Sequence, residues 1–187
     1  MERVQQSAGV AVIGAVGAGQ EPGAAITRER SGRRPIIGDP TAFIVNLERE
    51  LGRMRRYGDS SCLLMIAADA RVDIPELDHL GLRFAASLRS YDSLCRYGAS
   101  HFLVLLPHVQ SPDVAGIVRR LRVQVAGYSL RLADGREGFV TASTGGTMLD
   151  TDCGMHDNID RAVLAYQAAR ALGGNDHRMW SQGLETV

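Results

Sequence analysis

The stretch spanning residues 89–107, RSYDSLCRYGASHFLVLLP, constrains the chain more than any other. Two short apolar segments, 94–97 and 102–106, flank Gly98-Ala99-Ser100-His101. Glycine enters a tight turn at positive φ without steric cost, so Gly98 between apolar runs predicts an antiparallel β-hairpin.

The length of 187 residues suits one domain of ordinary size with a tail. Lys and Arg total 21 and Asp and Glu total 21, so the net charge is zero. That balance gives no electrostatic footprint for nucleic acid or for a membrane surface. Cys62, Cys95 and Cys153 are odd in number and far apart, forming neither a disulfide framework nor a metal motif. Cys62 and Cys95 sit in apolar, strand-like runs, which fits buried reduced thiols in a cytoplasmic protein. No apolar run reaches the length of a membrane span, and the first 30 residues lack the pattern of a signal peptide.

Along the chain, residues 1–38 are expected to be a flexible tail, residues 39–183 a domain and residues 184–187 a short C-terminal tail. Within the first tail, residues 10–19 resemble a strand running into a dinucleotide-binding glycine loop. Such a loop must open a helix, and the following Glu21-Pro22-Gly23 gives none. Asp39-Pro40 begins a helix with an N-cap and a proline in its first turn; Phe43, Leu47, Leu51 and Met54 recur at helical spacing and Gly58 ends it. Residues 61–68 are continuously apolar, as in a central strand buried on both faces. Asp73 and Glu76 read as a capping pair for a second helix reaching about Arg89, with Leu77, Leu80, Phe84 and Leu88 inward. Ser111-Pro112-Asp113 is expected to cap a third helix through Val125. Residues 128–132 and 139–149 read as two strands joined at Asp134-Gly135, residues 158–172 as a fourth helix and residues 177–181 as a closing strand. The fold class is therefore α/β (α+β): a mostly antiparallel central sheet flanked by helices.

Arg-Tyr-Gly-x-x-x-Phe-x-Val-x-Leu-Pro over residues 96–107 resembles the signature hairpin of the GGDEF domain, the catalytic module of diguanylate cyclases. Val140-Thr-Ala-Ser-Thr-Gly145 and Arg161-Ala162…Tyr166-Gln-Ala168…Gly173-Gly-Asn175 extend the likeness over about residues 39–180. The resemblance implies a nucleotide-cyclase-like palm. It also implies chemistry in which two facing domains, as in a homodimer, each hold one GTP on divalent metal.

Most residues that this chemistry would use differ here. Ala67 stands where the resemblance places the first metal carboxylate, and only the next aspartate, Asp69, is kept. The turn's Gly-Gly-Asp/Glu-Glu-Phe is Gly98-Ala99-Ser100-His101-Phe102. Serine brings no charge and imidazole is a poor ligand for a hard cation, so no metal or other cofactor is expected and His101 reads as a turn residue in solvent. Residues 70–81 lack the asparagine of the guanine-binding segment. The phosphate-binding Lys and Arg of the family fall at Ala169 and Gly174, with Arg170 as a shifted substitute. The expectation is a domain that makes no cyclic di-GMP.

An inhibitory-type Arg-x-x-Asp is present as Arg89-Ser90-Tyr91-Asp92, and Arg120 falls where some family members place a further arginine for the same ligand. A guanidinium can donate two parallel hydrogen bonds to guanine O6 and N7, and a carboxylate can accept from its N1 and N2 edge. Against this, Arg89 ends a helix, where cations are favoured anyway, and Arg119, Arg120 and Arg122 also suit an ordinary solvated face. Two functions follow. One is a cyclic di-GMP receptor that signals to a protein partner through Arg89, Asp92 and Arg120; the other is a nucleotide-independent protein-interaction module.

Overall fold

The computed structural model describes residues 37–181. Residues 1–36 of the expected tail, with the glycine loop at 10–19, and the last residues, 182–187, lie outside the described part. In chain order the elements are β1 (Ile37–Gly38), α1 (Pro40–Tyr57), β2 (Cys62–Ala68), α2 (Ile74–Ser87), β3 (Ser93–Tyr97), β4 (His101–Leu106), α3 (Ser111–Ala126), β5 (Ser129–Arg131), β6 (Glu137–Phe139), β7 (Ala142–Met148), α4 (Met155–Ala171) and β8 (His177–Met179).

Local chemistry explains most boundaries. The Asp39 carboxylate accepts from the Ala42 amide at 3.0 Å, and Pro40 opens α1. The helix stops where the Gly58 amide donates to the Met54 carbonyl at 2.8 Å. Two expected caps differ. Asp73 accepts from its neighbour Ile74 at 2.8 Å, so Glu76 completes no reciprocal box and lies by His79 instead. Ser111 is the first residue of α3 rather than its cap; Gln110 occupies that position with no side-chain bond.

Six strands form one sheet in the order β1-β3-β4-β2-β7-β8. β2 is central because every residue from Cys62 to Ala67 is apolar and buried. It pairs antiparallel with β4 on one side and β7 on the other. Both outer pairings, β1 with β3 and β7 with β8, are parallel. The pleat sends Cys62, Leu64 and Ile66 into a core under α2 and α3, while Leu63, Met65 and Ala67 meet α1 and α4 on the other face. β1 extends the sheet into residues read as tail: Ile37 and Gly38 align with Leu94 and Cys95.

The hairpin forms as expected, with Tyr97 opposite His101 and Gly98 at φ 62°. The strand expected over 139–149 instead divides in two. β6 pairs with β5 in a separate ribbon, and β7 joins the main sheet. The break falls at Val140-Thr141, where the Asp69 amide donates to the Thr141 carbonyl at 2.7 Å. Residue 145 must be glycine, since a Cβ there would lie 1.9 Å from the Tyr166 amide nitrogen of α4. No helix among the described residues is long and apolar enough to cross a membrane.

Candidate functional site

The C-terminal end of β2, the β3–β4 turn and the last turns of α4 surround an open cleft of about 800 Å³. The pleat and register decide what faces it. Ala67 aligns with His101 on β4 and with Ser143 on β7. The Ala67 methyl is buried on the α1/α4 face, in the same core as Tyr166.

Asp69, just beyond β2, is almost wholly engaged. Ser143 Oγ donates to it at 2.6 Å, the Asn175 amide at 2.8 Å and Arg170 Nη1 at 2.6 Å, and Thr141 Oγ1 donates as well. Burial opposes its charge, but Ser143, Thr141, the Asn175 amide and Arg170 outweigh that cost and hold the carboxyl below its usual value. Arg170, proposed from the sequence as a shifted phosphate ligand, thus spends one nitrogen on the kept aspartate. Arg122 is tied to the same network through bonds to the Asn175 carbonyl and side chain, which corrects its reading as part of a solvated face.

His101 is half-buried rather than in solvent. Its ring meets Tyr166 edge to face, with centroids 5.0 Å apart, and Ser100 Oγ lies 3.4 Å from Nδ1. Burial, helped by the Arg170 charge, pushes its pKa down, so the neutral imidazole prevails at neutral pH. Gly98, Ala99 and Ser100 line the cleft beside it.

On another part of the molecule, Asp92 is buried and accepts the Arg89 amide at 2.7 Å, closing the turn that joins α2 to β3. Burial raises its pKa, although the Arg89 amide bond and the charges of Arg89 and Arg120 oppose the rise. The Arg89 guanidinium faces Tyr91, with Nη1 2.9 Å from the phenol oxygen. Arg89 and Arg120 are both exposed. Arg89 and Asp92 therefore meet through backbone rather than as an ion pair, and Arg120 makes no hydrogen bond or ion pair with either among the described residues.

The family model for "Diguanylate cyclase, GGDEF domain" matches residues 76–176. This chain belongs to the GGDEF family. Among curated relatives, the response regulator PleD of Caulobacter vibrioides is 39% identical over 61 residues, covering 33% of this chain and 13% of the relative. The chain thus spans a small part of that protein's length. Among solved structures, diguanylate cyclase SiaD of Pseudomonas aeruginosa, crystallised with its activator SiaC, superposes with TM-score 0.63 at 25% identity, over 74% of this chain and 57% of that one. The GGDEF domain of DgcB from Caulobacter crescentus, in complex with c-di-GMP, gives 0.65 at 19% identity, over 83% and 98% respectively.

Within this GGDEF fold the donor set does not fit a divalent cation. No group of three or more His, Cys, Asp or Glu side chains among the described residues is placed to hold one. Asp69 already has four donors, and a guanidinium stands where a metal would need open oxygen.

Sequence reasoning singled out Asp69 but not its partners. The signal was present in Val140–Gly145: Thr141 and Ser143 are two residues apart, so a strand turns both hydroxyls to one side. Arg161, quoted for its family pattern, serves the fold, bonding Asp150 at 2.9 Å and stacking 4.0 Å over Trp180.

Proposed function

We propose that this GGDEF domain does not synthesise cyclic di-GMP and acts as its receptor, passing occupancy to a protein partner. The inactive half of the reading rests on Asp69, whose oxygens bind Arg170 and three neutral donors where catalysis would need metal-binding carboxylates. The receptor half rests on one convergence: Arg89 and Arg120, from separate elements, are both near enough for their charges to act on Asp92. Two exposed guanidinium groups beside one turn suit the phosphates and guanine edges of a cyclic dinucleotide. Asp92 then works chiefly as a positioning residue, since its bond to the Arg89 amide sets the turn that aims Arg89. The c-di-GMP complex of DgcB and the SiaD–SiaC pair are precedents on the same fold for ligand and for partner.

Calorimetric titration of cyclic di-GMP into the wild type, Arg89→Ala and Arg120→Ala tests the receptor. Micromolar binding that weakens at least tenfold in each variant is expected. Equal binding by all three would dismiss the assigned site. A silent wild type would favour a nucleotide-independent interaction module, a reading supported by the Arg89–Tyr91 contact that already occupies one guanidinium nitrogen. Incubation with GTP and magnesium or manganese should yield no cyclic di-GMP, and detectable product would overturn the inactive half.

A further inference from the structure

The turn that joins α2 to β3 is closed twice. The Asp92 amide donates to the Arg89 carbonyl at 3.1 Å, and the Arg89 amide donates back to the Asp92 carboxylate at 2.7 Å. Residues 89–92 are thereby held as one unit, and the two long side chains it presents, Arg89 and Tyr91, face each other. Arg89 Nη1 donates to the Tyr91 phenol oxygen at 2.9 Å, and the guanidinium carbon lies 5.8 Å from the centre of the ring.

Nothing in the packing requires this contact. Tyr91 is 51% exposed, so water satisfies its hydroxyl as readily as a guanidinium does. What keeps the ring beside the turn is His108, from the loop between β4 and α3. Its ring meets Tyr91 edge on, with centroids 6.5 Å apart, and its Nδ1 lies 3.6 Å from the Asp59 carboxylate. Guanine edges and phosphates are both gripped by two guanidinium nitrogens donating in parallel. A guanidinium whose Nη1 faces its own neighbour does not offer the end-on fork of Nη1 and Nη2.

We propose that Tyr91 is a built-in competitor for Arg89: its phenol holds the guanidinium in the empty protein, and a ligand must displace it to bind. The proposal rests on Arg89 as a binding residue of the receptor and names how that site is regulated. Tyr91 sets the affinity of the site rather than creating it. Binding draws on the fraction of molecules in which Arg89 is free, and a single hydrogen bond between exposed groups lowers that fraction, and with it the affinity, by about two- to fivefold.

Two measurements on the whole chain test this. Cyclic di-GMP is titrated calorimetrically into the wild type and into Tyr91→Phe, which removes the hydroxyl and keeps the ring; an unchanged melting temperature checks that the variant folds. Tyr91→Phe should bind about two- to fivefold more tightly. Micromolar binding that is equal in both, or weaker in the variant, would leave the receptor standing and overturn the competitor alone. Silence of both proteins would overturn the receptor reading and take the competitor with it. Binding by Tyr91→Phe with a silent wild type would support both. The second measurement needs no ligand. Phenylglyoxal, which condenses with free guanidinium groups, is followed by mass spectrometry of the labelled peptides. Arg89 should react severalfold faster in Tyr91→Phe than in the wild type. Arg119, exposed and without a side-chain hydrogen bond or ion pair among the described residues, should react alike in both. An Arg89 rate that does not change would show that the phenol does not hold the guanidinium and would overturn the proposal.

Discussion

Replacing Asp69 by alanine should destabilise the domain strongly, whatever the domain binds. Four donors lose their acceptor at once. Ser143 is wholly buried, so its hydroxyl is left unpaired, at a cost of about 1–3 kcal/mol. The Thr141 hydroxyl and the Asn175 amide each lose a bond worth about 0.5–1.5 kcal/mol. The Arg170 side chain is 41% exposed, so its pair with Asp69 adds only about 0–1 kcal/mol after screening. Water entering the site recovers part of the sum, which leaves about 3 kcal/mol. That corresponds to a fall in melting temperature of roughly 6–12 °C for a domain of this size. Urea unfolding of wild type and Asp69→Ala at pH 7 measures it. The folded carboxyl titrates below its ordinary value. Its stabilisation is therefore complete above the unfolded value of about 4 and is lost as pH falls through the folded one. The gap between the two proteins should narrow between pH 5 and about pH 2. A gap below about 1 kcal/mol at pH 7, or one that widens as pH falls, would refute the view of Asp69 as a saturated structural carboxylate. Millimolar magnesium should not raise the wild-type melting temperature, as it would if Asp69 were an open metal ligand.

Gly145→Ala should cost about 3 kcal/mol or more in thermal unfolding, since its Cβ meets the backbone of Tyr166; Gly146→Ala meets only the flexible ends of Leu64 and Met179 and should cost less, and equal effects would contradict the packing. Phe84→Ala, which empties an edge-to-face contact with Phe102 at 5.4 Å, should lose about 3–5 kcal/mol in urea titration, and a loss below about 1 kcal/mol would place Phe84 outside the core. A thiol reagent should label Cys153 before the other two cysteines, because Cys62 and Cys95 are buried and burial pushes the Cys95 thiol up to about 12, although the bond to Asp150 raises the Cys153 thiol and slows even that reaction. Labelling of Cys62 or Cys95 as fast as Cys153 in native protein would contradict that arrangement.

Elements carried by local patterns were legible in the sequence. Asp39-Pro40, followed by apolar residues at helical spacing, predicts α1 to within a residue at each end. Gly98 between two apolar runs predicts the hairpin, and the unbroken apolar run from Cys62 places β2 at the sheet's centre. The division of 139–149 into β6 and β7 was not legible, because Phe139 to Leu149 has strand character throughout. The break falls where Asp69, 72 residues away in sequence, bonds Thr141 through its amide and its carboxylate. His101 was misplaced for a related reason: a turn residue's exposure depends on which helix packs beside it, and Tyr166 of α4 covers this one.

The residue types alone set the cap and proline that open α1, the apolar run of β2 and the family pattern. All of these depend on neighbours within a few positions or on chemical identity. Folding determined how the kept groups are used. Asp69 gathers donors from β7, α4 and the loop after it, so its oxygens are spent before a ligand arrives. Asp92 turns inward to the Arg89 amide rather than outward to a guanidinium. A side chain's charge is written in its covalent structure, but whether that charge is free depends on which donors the fold brings within about 3 Å.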